Sequence, residues 1–362
     1  MTATALDLTA DLTTLTAQLC DLRSVSGQET ALADAVESAL RALGHLTVER
    51  DGDAVVARTE LGRPSRVVIA GHLDTVPVTE DPANLPTRLV DGVLWGRGTV
   101  DMKGGVAVQL ALAAELTAPS RDITWVFYDH EEVDAALNGL GRIARNHPEW
   151  LAADFAVLCE PTDAGLEGGC NGTLRAEIEV TGVAAHSARA WTGRNAIHDT
   201  ATVLNRLAAY TPAEIEVEGL VYREGLNAVL IGGGIATNVI PDRCVVTVNY
   251  RFAPSRSVQQ AEAHVRELFD GFTVRVTDSA AGARPGLDHP VAADFAAAVL
   301  AVTGGAPAPK YGWTDVARFS ALGVPAVNFG PGDPLLAHKD DERLPVAQLG
   351  QCRDALRAWL TA

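Results

Sequence analysis

The chain has 362 residues, of which 47% are hydrophobic, and a formal net charge of −17 at pH 7. This length predicts a globular protein of two domains, and the excess of carboxylates disfavours nucleic acid and anionic membrane surfaces as partners. No apolar run approaches the ~20 residues of a membrane span, and residues 1–19 lack the features of a signal peptide, so we expect a cytoplasmic protein.

The first elements predict a buried strand that ends in a histidine and an aspartate. Residues 8–22 and 29–43 carry apolar positions at helical spacing. Residues 67–70 form an uninterrupted apolar run, typical of a strand buried on both faces of a parallel sheet. His72 and Asp74 follow at the carboxyl end of this strand, where open α/β sheets bind ligands. The spacing suits an aspartate that orients a metal-binding histidine, and a structural pair near a turn is the alternative.

A glycine-rich loop then precedes an alanine-rich helix, which we predict at about residues 106–116. Neither G-x-x-x-x-G-K-[ST] nor G-x-G-x-x-G is satisfied, so the loop is not predicted to bind phosphate. Asp101 lies in this loop as a potential metal ligand. A helix N-cap is the alternative for an aspartate at this place.

Two further buried strands are each followed by acidic residues. The strand at 123–128 leads into the adjacent pair Glu131 and Glu132, and the strand at 155–159 leads directly into Glu160. Neighbouring side chains diverge, so one glutamate of the pair can bind a metal while the other faces the water bound to it. A carboxylate therefore recurs just beyond the end of each buried strand.

Between residues 172 and 278 the pattern changes to shorter, half-polar strands around two helices. We predict strand 173–181, helix 195–209, strand 227–233, strand 243–252, helix 257–270 and strand 272–277. This order is the split β-α-β-β-α-β arrangement. The earlier pattern then resumes with helix 291–302, strand 324–329 and a last helix near 345–361.

This order of elements predicts the fold class and the domains. We expect an α/β fold in which residues 1–171 and 279–362 form a catalytic domain with a mixed, mostly parallel sheet flanked by helices. Residues 172–278 are predicted to form an inserted α+β domain.

Five potential metal ligands follow predicted strands or connections at one edge of the sheet. They are two imidazoles and three carboxylates: His72, Asp101, Glu132, Glu160 and His338. The five cysteines are scattered and contain no C-x-x-C pair, so no thiolate site or disulfide framework is predicted. The mixed donor set suits zinc, cobalt or manganese better than calcium or magnesium, which prefer oxygen alone. With Asp101 as a bridge, each of two ions has a histidine, a glutamate and an open position for water.

The charge of such a site favours catalysis over storage of metal. Three carboxylates against two divalent ions leave about one positive charge for a hydroxide to neutralise, and zinc lowers the pKa of a bound water to about 7. Glu131 is not needed as a ligand, so we predict that it takes the proton of this water and gives it to a leaving amine. The predicted chemistry is hydrolysis of an amide or ester. A solvated surface carboxylate is the alternative for Glu131.

These motifs resemble those of the co-catalytic di-zinc aminoacylase and carboxypeptidase family of metallohydrolases, over nearly the whole chain. The matching segments are residues 71–77, 95–98, 101–105, 131–132, 159–162 and 337–338. The resemblance implies that Asp101 bridges two zinc ions, with His72 and Glu160 on one ion and Glu132 and His338 on the other. It also implies that Asp74 orients His72 and that Glu131 is the general acid and base.

The resemblance further implies a homodimer formed through the inserted domain, which also acts as a lid. His186 then reaches the active site of the other subunit and stabilises the tetrahedral oxyanion. Asn238 and Arg251 match positions that hold substrate carboxylates, although a structural ion pair is the alternative for Arg251. Thr314 is the third candidate for substrate binding. Its neighbour Trp313 stands where many relatives carry a small residue, in the region expected to shape the acyl pocket.

Within the family, the motifs look most similar to those of members that release succinate from N-succinyl-L,L-2,6-diaminopimelate in lysine and diaminopimelate biosynthesis. We therefore expect this amide hydrolysis, with two divalent ions that are zinc or else cobalt or manganese. The alternatives are hydrolysis of another N-acyl amino acid, such as acetylornithine, or di-zinc carboxypeptidase activity. A catalytically silent metal-binding scaffold is the non-enzymatic alternative, and an intact Glu131 beside five ligands disfavours it.

Overall fold

The computed structural model describes residues 6–80 and 83–362. Its α-helices, in chain order, are Leu12–Asp21 (α1), Thr30–Arg41 (α2), Gly104–Glu115 (α3), Gly139–Asn146 (α4), Ala196–Asp199 (α5), Ala201–Ala208 (α6), Val258–Leu268 (α7), Pro290–Thr303 (α8), Val316–Ala321 (α9) and Val346–Thr361 (α10). Among these residues, none of the helices is both long enough and apolar enough to span a membrane.

The strands are mostly short, and the longest lie in the middle of the chain. They are Thr47–Asp51 (β1), Ala54–Arg58 (β2), Arg66–His72 (β3), Arg88–Val90 (β4), Val93–Trp95 (β5), Asp122–Tyr128 (β6), Phe155–Leu158 (β7), Glu167–Gly168 (β8), Gly172–Thr181 (β9), Ala185–His186 (β10), Glu214–Val217 (β11), Leu220–Arg223 (β12), Gly225–Gly233 (β13), Val239–Ile240 (β14), Arg243–Phe252 (β15), Thr273–Ala280 (β16), Ala308–Pro309 (β17), Ala326–Asn328 (β18) and Arg343–Pro345 (β19).

The chain divides into two compact units. One unit extends to Gly168 and also contains Gly286–Ala308 and Arg318–Ala362, and the other contains Gly169–Pro285 and Pro309–Ala317. The predicted insertion covered 172–278, whereas the second unit covers Gly169–Pro285 and also includes 309–317. This segment is tied to the second unit by hydrogen bonds from Asn171 N–H to the Lys310 carbonyl and from Trp313 Nε1 to the Ala281 carbonyl.

The first unit is built on an eight-stranded mixed sheet in the order β1-β2-β6-β3-β7-β18-β8-β17. Its centre is parallel, because β3 pairs in parallel with β6 and β7, and β18 with β7, whereas β1, β2 and β8 run antiparallel to their neighbours. The predicted α/β class with a mostly parallel central sheet is confirmed.

The core of the first unit explains why these strands are so apolar. Val67, Ile69 and Trp125 are almost fully buried and belong to one large hydrophobic cluster with α1, α2, α3, α8 and α10. Helix α3 is buried around most of its circumference, as expected for its alanine-rich, apolar sequence. The register places His72 opposite Tyr128 and Ala70 opposite Leu158, so the carboxyl ends of β3, β6 and β7 lie at the same edge.

The second unit contains a four-stranded antiparallel sheet in the order β13-β15-β9-β16. Helices α5, α6 and α7 occupy the predicted places between the strands, and the β-α-β-β-α-β order is as predicted. Leu174, Ile178, Val246 and Phe269 form its separate core. The helix predicted at 195–209 is divided at Thr200, whose hydroxyl donates to the Ala196 carbonyl at 2.7 Å.

Candidate metal centre

His72 is the last residue of β3 and is 1% exposed. Its Nδ1 donates to the backbone carbonyl of Asp74 at 3.0 Å and lies 3.5 Å from the Asp74 carboxylate. Its Nε2 lies 3.1 Å from Oδ1 of Asp101. The ring is therefore fixed on one side and presents its other nitrogen to the acidic cluster, the arrangement expected of a histidine that binds a metal.

Asp74 joins His72 to the loop that follows β6. Its carboxylate accepts hydrogen bonds from the Ser26 hydroxyl at 2.7 Å and from the backbone N–H groups of Glu131 and Glu132 at 3.0 and 3.1 Å. Burial acts to raise the pKa of Asp74, but the hydrogen bond and positive charge of His72 outweigh it and lower the pKa to about 2. Asp74 is thus an anion that orients three residues of the predicted site.

Asp101 lies in the turn Thr99–Lys103, directly before α3. The peptide bond between Asp101 and Met102 is cis. The buried Glu342 accepts from the backbone N–H groups of Val100 and Asp101 at 2.8 and 3.1 Å, and pairs with Arg97 at 2.9 Å. Glu342 therefore fixes the backbone of Asp101, while the Asp101 carboxylate faces His72 and His338.

Glu342 is not among the residues predicted from the sequence to belong to this site. It lies in Asp340-Asp341-Glu342-Arg343, a run of charges that is typical of a solvated segment. Glu342 is nevertheless 2% exposed, and its partner Asp101 lies 241 residues earlier in the chain. A contact of this separation has no local sequence signal.

His338 approaches the cluster from the opposite side of Asp101. Its Nε2 lies 3.3 Å from Oδ2 of Asp101 and 3.0 Å from the carboxylate of Glu132. Its backbone is left-handed, with φ 63°. Hydrogen bonds to Asp101 and Glu132 raise the pKa of His338 to about 10, although partial burial acts in the opposite direction.

The predicted ligands form two overlapping groups of three. His72, Asp101 and Glu160 make one group, and Asp101, Glu132 and His338 make the other. Within each group the donor atoms lie within 4.8 Å of one another. The structure thus brings all five residues together with Asp101 common to both groups, and Glu131 belongs to a third group with His72 and Glu132.

The chemistry of this donor set fits two divalent cations. Burial and the charge of Asp101 raise the pKa of Glu132, whereas burial acts to raise the pKa of Asp101 and the two histidines outweigh it and lower the pKa. The carboxylates in turn raise the pKa values of His72 and His338, so the cluster favours positive charge on the imidazoles. Cations bound to neutral imidazoles supply the same charge, and imidazole with carboxylate is a donor set of zinc, cobalt and manganese.

The remaining predicted residues lie in the second unit. His186 on β10 pairs with Val239 on β14, and the Ser187 N–H donates to the Asn238 carbonyl at 2.9 Å, so His186 and Asn238 are close. The Nδ1 of the exposed His186 accepts a hydrogen bond from Ala188 N–H at 3.0 Å. This assigns the ring hydrogen to Nε2, which is then available as a donor.

Arg251 and Thr314 lie elsewhere in the second unit. Arg251 is on β15 opposite Gly225 of β13, and its Nε donates to Oδ1 of Asn249 at 3.0 Å. Thr314 is 5% exposed and lies in the segment that joins this unit from the C-terminal part of the chain. Trp313 is half-buried there.

Bacterial proteins are similar in sequence to this chain over nearly its whole length. A putative succinyl-diaminopimelate desuccinylase DapE of Mycobacterium tuberculosis is 54% identical over 358 residues, which cover 98% of this chain and 99% of that protein. A succinyl-diaminopimelate desuccinylase of Corynebacterium glutamicum is 48% identical over 366 residues, with 98% of each chain covered.

The fold is shared with solved metallopeptidases. The crystal structure of a tripeptidase from Staphylococcus aureus matches with a TM-score of 0.79 at 19% identity and covers 99% of both chains. The model of peptidase family M20/M25/M40 matches residues 68–362, a range that contains all five candidate ligands. The chain therefore belongs to peptidase family M20/M25/M40.

Proposed function

We propose that the protein hydrolyses the amide bond of N-succinyl-L,L-2,6-diaminopimelate to succinate and L,L-diaminopimelate. The observation that carries this proposal is the pair of ligand groups that share Asp101, with Glu131 beside them. The 54% and 48% identity to proteins named as desuccinylases supports the choice of substrate.

We propose that His72, Asp101 and Glu160 hold one divalent ion and that Asp101, Glu132 and His338 hold the other. Bound ions of this kind polarise a carbonyl and make water a nucleophile at neutral pH. Zinc is the first candidate, with cobalt or manganese as alternatives, because all three accept imidazole and carboxylate.

Glu131 has the role of general base and acid in this proposal. Its carboxylate takes a proton from the water that attacks the amide carbon. When the bond between carbon and nitrogen breaks, Glu131 returns the proton to the leaving amine, so the products are a carboxylate and a free amine. Support comes from the Glu131 N–H bond to Asp74, which fixes the glutamate next to the ligand Glu132.

The second unit supplies substrate recognition in this proposal. The Nε2–H of His186 is the donor to the oxyanion of the tetrahedral intermediate. Arg251, Asn238 and Thr314 hold the carboxylates that the succinyl group and the amino acid carry, and the planar guanidinium of Arg251 suits a bidentate contact. Trp313 lies next to Thr314, in the region proposed to shape the acyl pocket.

We further propose that the protein is cytoplasmic and that it forms a homodimer through the second unit. Strand β13 supports the homodimer because it is the edge of its sheet and carries three apolar side chains in a row that are more than half exposed: Val229, Leu230 and Ile231. An apolar edge strand of this kind is a site for pairing with another chain.

The test of the substrate is parallel turnover of N-succinyl-L,L-diaminopimelate, N-acetylornithine and a dipeptide by the metal-loaded protein. We expect kcat/KM for the succinyl compound to exceed that for either competitor by at least about tenfold, since a site built to pair a charged group strongly rejects a substrate that lacks it. Preference for acetylornithine or the dipeptide would assign the protein to another activity of the family.

The test of Glu131 is the Glu131→Gln variant, which keeps the shape of the side chain but cannot accept the proton. We expect kcat to fall by about 10²-fold or more while the protein still binds two metal ions. Glu149→Gln is the matched control, because that side chain is 65% exposed and lies outside the cluster. Turnover by Glu131→Gln at the wild-type rate would contradict the assignment.

A further inference from the structure

Three consecutive backbone N–H groups in the loop after β6 donate to two buried carboxylates. The N–H groups of Glu131 and Glu132 donate to Asp74, and that of His130 donates to Oε1 of Glu29 at 3.2 Å. We propose that Glu29 is a positioning residue for Glu131, because it fixes the peptide that begins this loop. The inference rests on the proposed function, in which Glu131 is the base.

The placement of Glu29 is unusual for a residue at a helix end. It occupies the N-cap position of α2, yet its side chain makes no capping hydrogen bond to that helix. The residue is fully buried, and burial raises the pKa of its carboxyl group, with the N–H groups of Gly27 and Glu29 opposing the change. Its Oε1 accepts from the peptide N–H of His130 and lies 3.5 Å from Nδ1 of the His130 ring, whereas its Oε2 has no hydrogen-bond partner among the described residues. The compensation for burying this group therefore comes largely from His130.

The conformation of His130 explains why the loop needs this support. Its φ is 57°, in the left-handed region that residues other than glycine seldom adopt. Its ring Nδ1 bonds to Asp129 at 2.6 Å, and Asp129 in turn binds Arg142 at 2.6 Å. An uncommon backbone conformation persists only where the surroundings fix it. Asp129 holds the side chain of His130 and Glu29 holds its N–H.

The consequence for catalysis follows from the neighbouring position of Glu131. If the His130 peptide loses its acceptor, the left-handed turn relaxes and the carboxylate of Glu131 moves relative to the metal ligands. A displacement of about 1 Å can cost as much as 10²-fold in rate without a change in the binding groups. Glu29 therefore affects kcat through Glu131 and does not touch the reacting atoms.

Three substitutions separate the reach of the Glu29 side chain from its charge. Glu29→Gln retains an oxygen at the same distance and loses the charge, so we expect kcat within about twofold of wild type. Glu29→Asp retains the charge but withdraws the oxygen by one methylene, and Glu29→Ala removes it. For both we expect kcat to fall about tenfold or more, with KM within twofold and two metal ions still bound.

The matched control is Asp122→Ala. Asp122 is the first residue of β6, at the opposite end of this strand from the loop that contains Glu131. Asp122 is 4% exposed and accepts from the N–H groups of Leu61 and Arg63, both at 2.8 Å. We expect this variant to have a lower Tm but an unchanged kcat. Hydrogen exchange of the segment 129–133 is the second readout, and Glu29→Asp and Glu29→Ala should accelerate it while Asp122→Ala should not.

Three results would overturn the inference. The first is hydrogen exchange at 129–133 that is unchanged in Glu29→Asp, and the second is a greater loss of kcat in Glu29→Gln than in Glu29→Asp. The third is a loss of bound metal in the Glu29 variants that parallels their loss of activity. An equal loss of kcat in Asp122→Ala would also overturn it, because the effect would then be general destabilisation. If the wild-type protein hydrolyses none of the N-acyl substrates, the proposed function fails, and the exchange measurement alone decides whether Glu29 fixes the loop.

Discussion

The neighbouring carboxylates raise the pKa values of both histidines of the cluster above the ordinary value for histidine. Hydrogen bonds to Asp101 and Glu132 raise the pKa of His338 to about 10. Burial acts to lower the pKa of His72, but its bonds to Asp101 and Asp74 outweigh burial and hold the pKa well above its usual value. A metal ion binds only the neutral imidazole, so each histidine must lose a proton before it can become a ligand.

We therefore predict that metal binding at pH 7 releases about two protons, one from each imidazole. Because the pKa of His338 is about 10 and that of His72 is also raised, the apparent affinity for zinc should rise with pH through the neutral range. Calorimetric titration in buffers of different ionisation enthalpy measures the number released. His338→Ala should release about one proton fewer, and a heat that does not depend on the buffer would contradict the prediction.

The start of α3 and the segment after β18 pack closely against the backbone of Cys159, the residue before Glu160. A Cβ atom on Gly105, at the start of α3, would lie 2.1 Å from the Cys159 carbonyl oxygen, and one on Gly330, shortly after β18, would lie 2.4 Å from the same atom. Neither approach allows a side chain. The position of Glu160 therefore depends on the contact between α3 and the end of β7.

Gly105→Ala tests this contact. We expect the free energy of unfolding to fall by ~3 kcal/mol, because the backbone of α3 or β7 must move. The affinity for the metal ion that Glu160 is proposed to bind should fall with it. Gly350→Ala is the control on α10, where an added Cβ meets nothing within 4 Å and should be neutral or slightly stabilising. Chemical denaturation and zinc titration of both variants measure the two effects, and equal stability of the two would contradict the prediction.

We predict that the homodimer forms through strand β13. Leu230 is 69% exposed on this edge strand, and Leu230→Lys places a charge in the proposed interface. We expect a monomer by light scattering and a large loss of turnover, because the site then lacks the His186 of the other subunit. Leu61→Lys, in an exposed loop of the first unit, is the control and should remain dimeric. A dimeric Leu230→Lys protein would place any interface elsewhere.

The elements that sequence could predict are those whose signal is local. His72, Glu132 and Glu160 follow apolar runs that became β3, β6 and β7, and the shared carboxyl edge of parallel strands brought them together. Glu29 and Glu342 could not be predicted in the same way. Their partners lie 101 and 241 residues away, and nothing in the neighbouring sequence marks either glutamate as buried. Local patterns thus located the acidic cluster, and the residues that support it appear only in the folded chain.

The candidate metal ligands lie in one unit and the proposed oxyanion donor lies in the other, so the proposed dimer can complete each site in trans. In this arrangement Glu131→Gln and His186→Ala each inactivate every site of their own homodimer. A mixed dimer, in contrast, has one site with an intact Glu131 that receives an intact His186 from the other subunit. His186 is exposed on β10, so its replacement by alanine leaves the core of the second unit unchanged.

We predict that the two inactive variants complement each other when their subunits exchange. Random reassociation places half of the subunits in mixed dimers, and one site in each is complete, so about a quarter of wild-type turnover should return. The measurement is turnover before and after mixing under conditions that dissociate and reform the dimer, with Leu230→Lys versions of both variants as the control that cannot pair. If His186 acts within its own subunit, every subunit of either variant lacks the base or the oxyanion donor. No dimer then contains a complete site, and activity stays at the level of the separate variants.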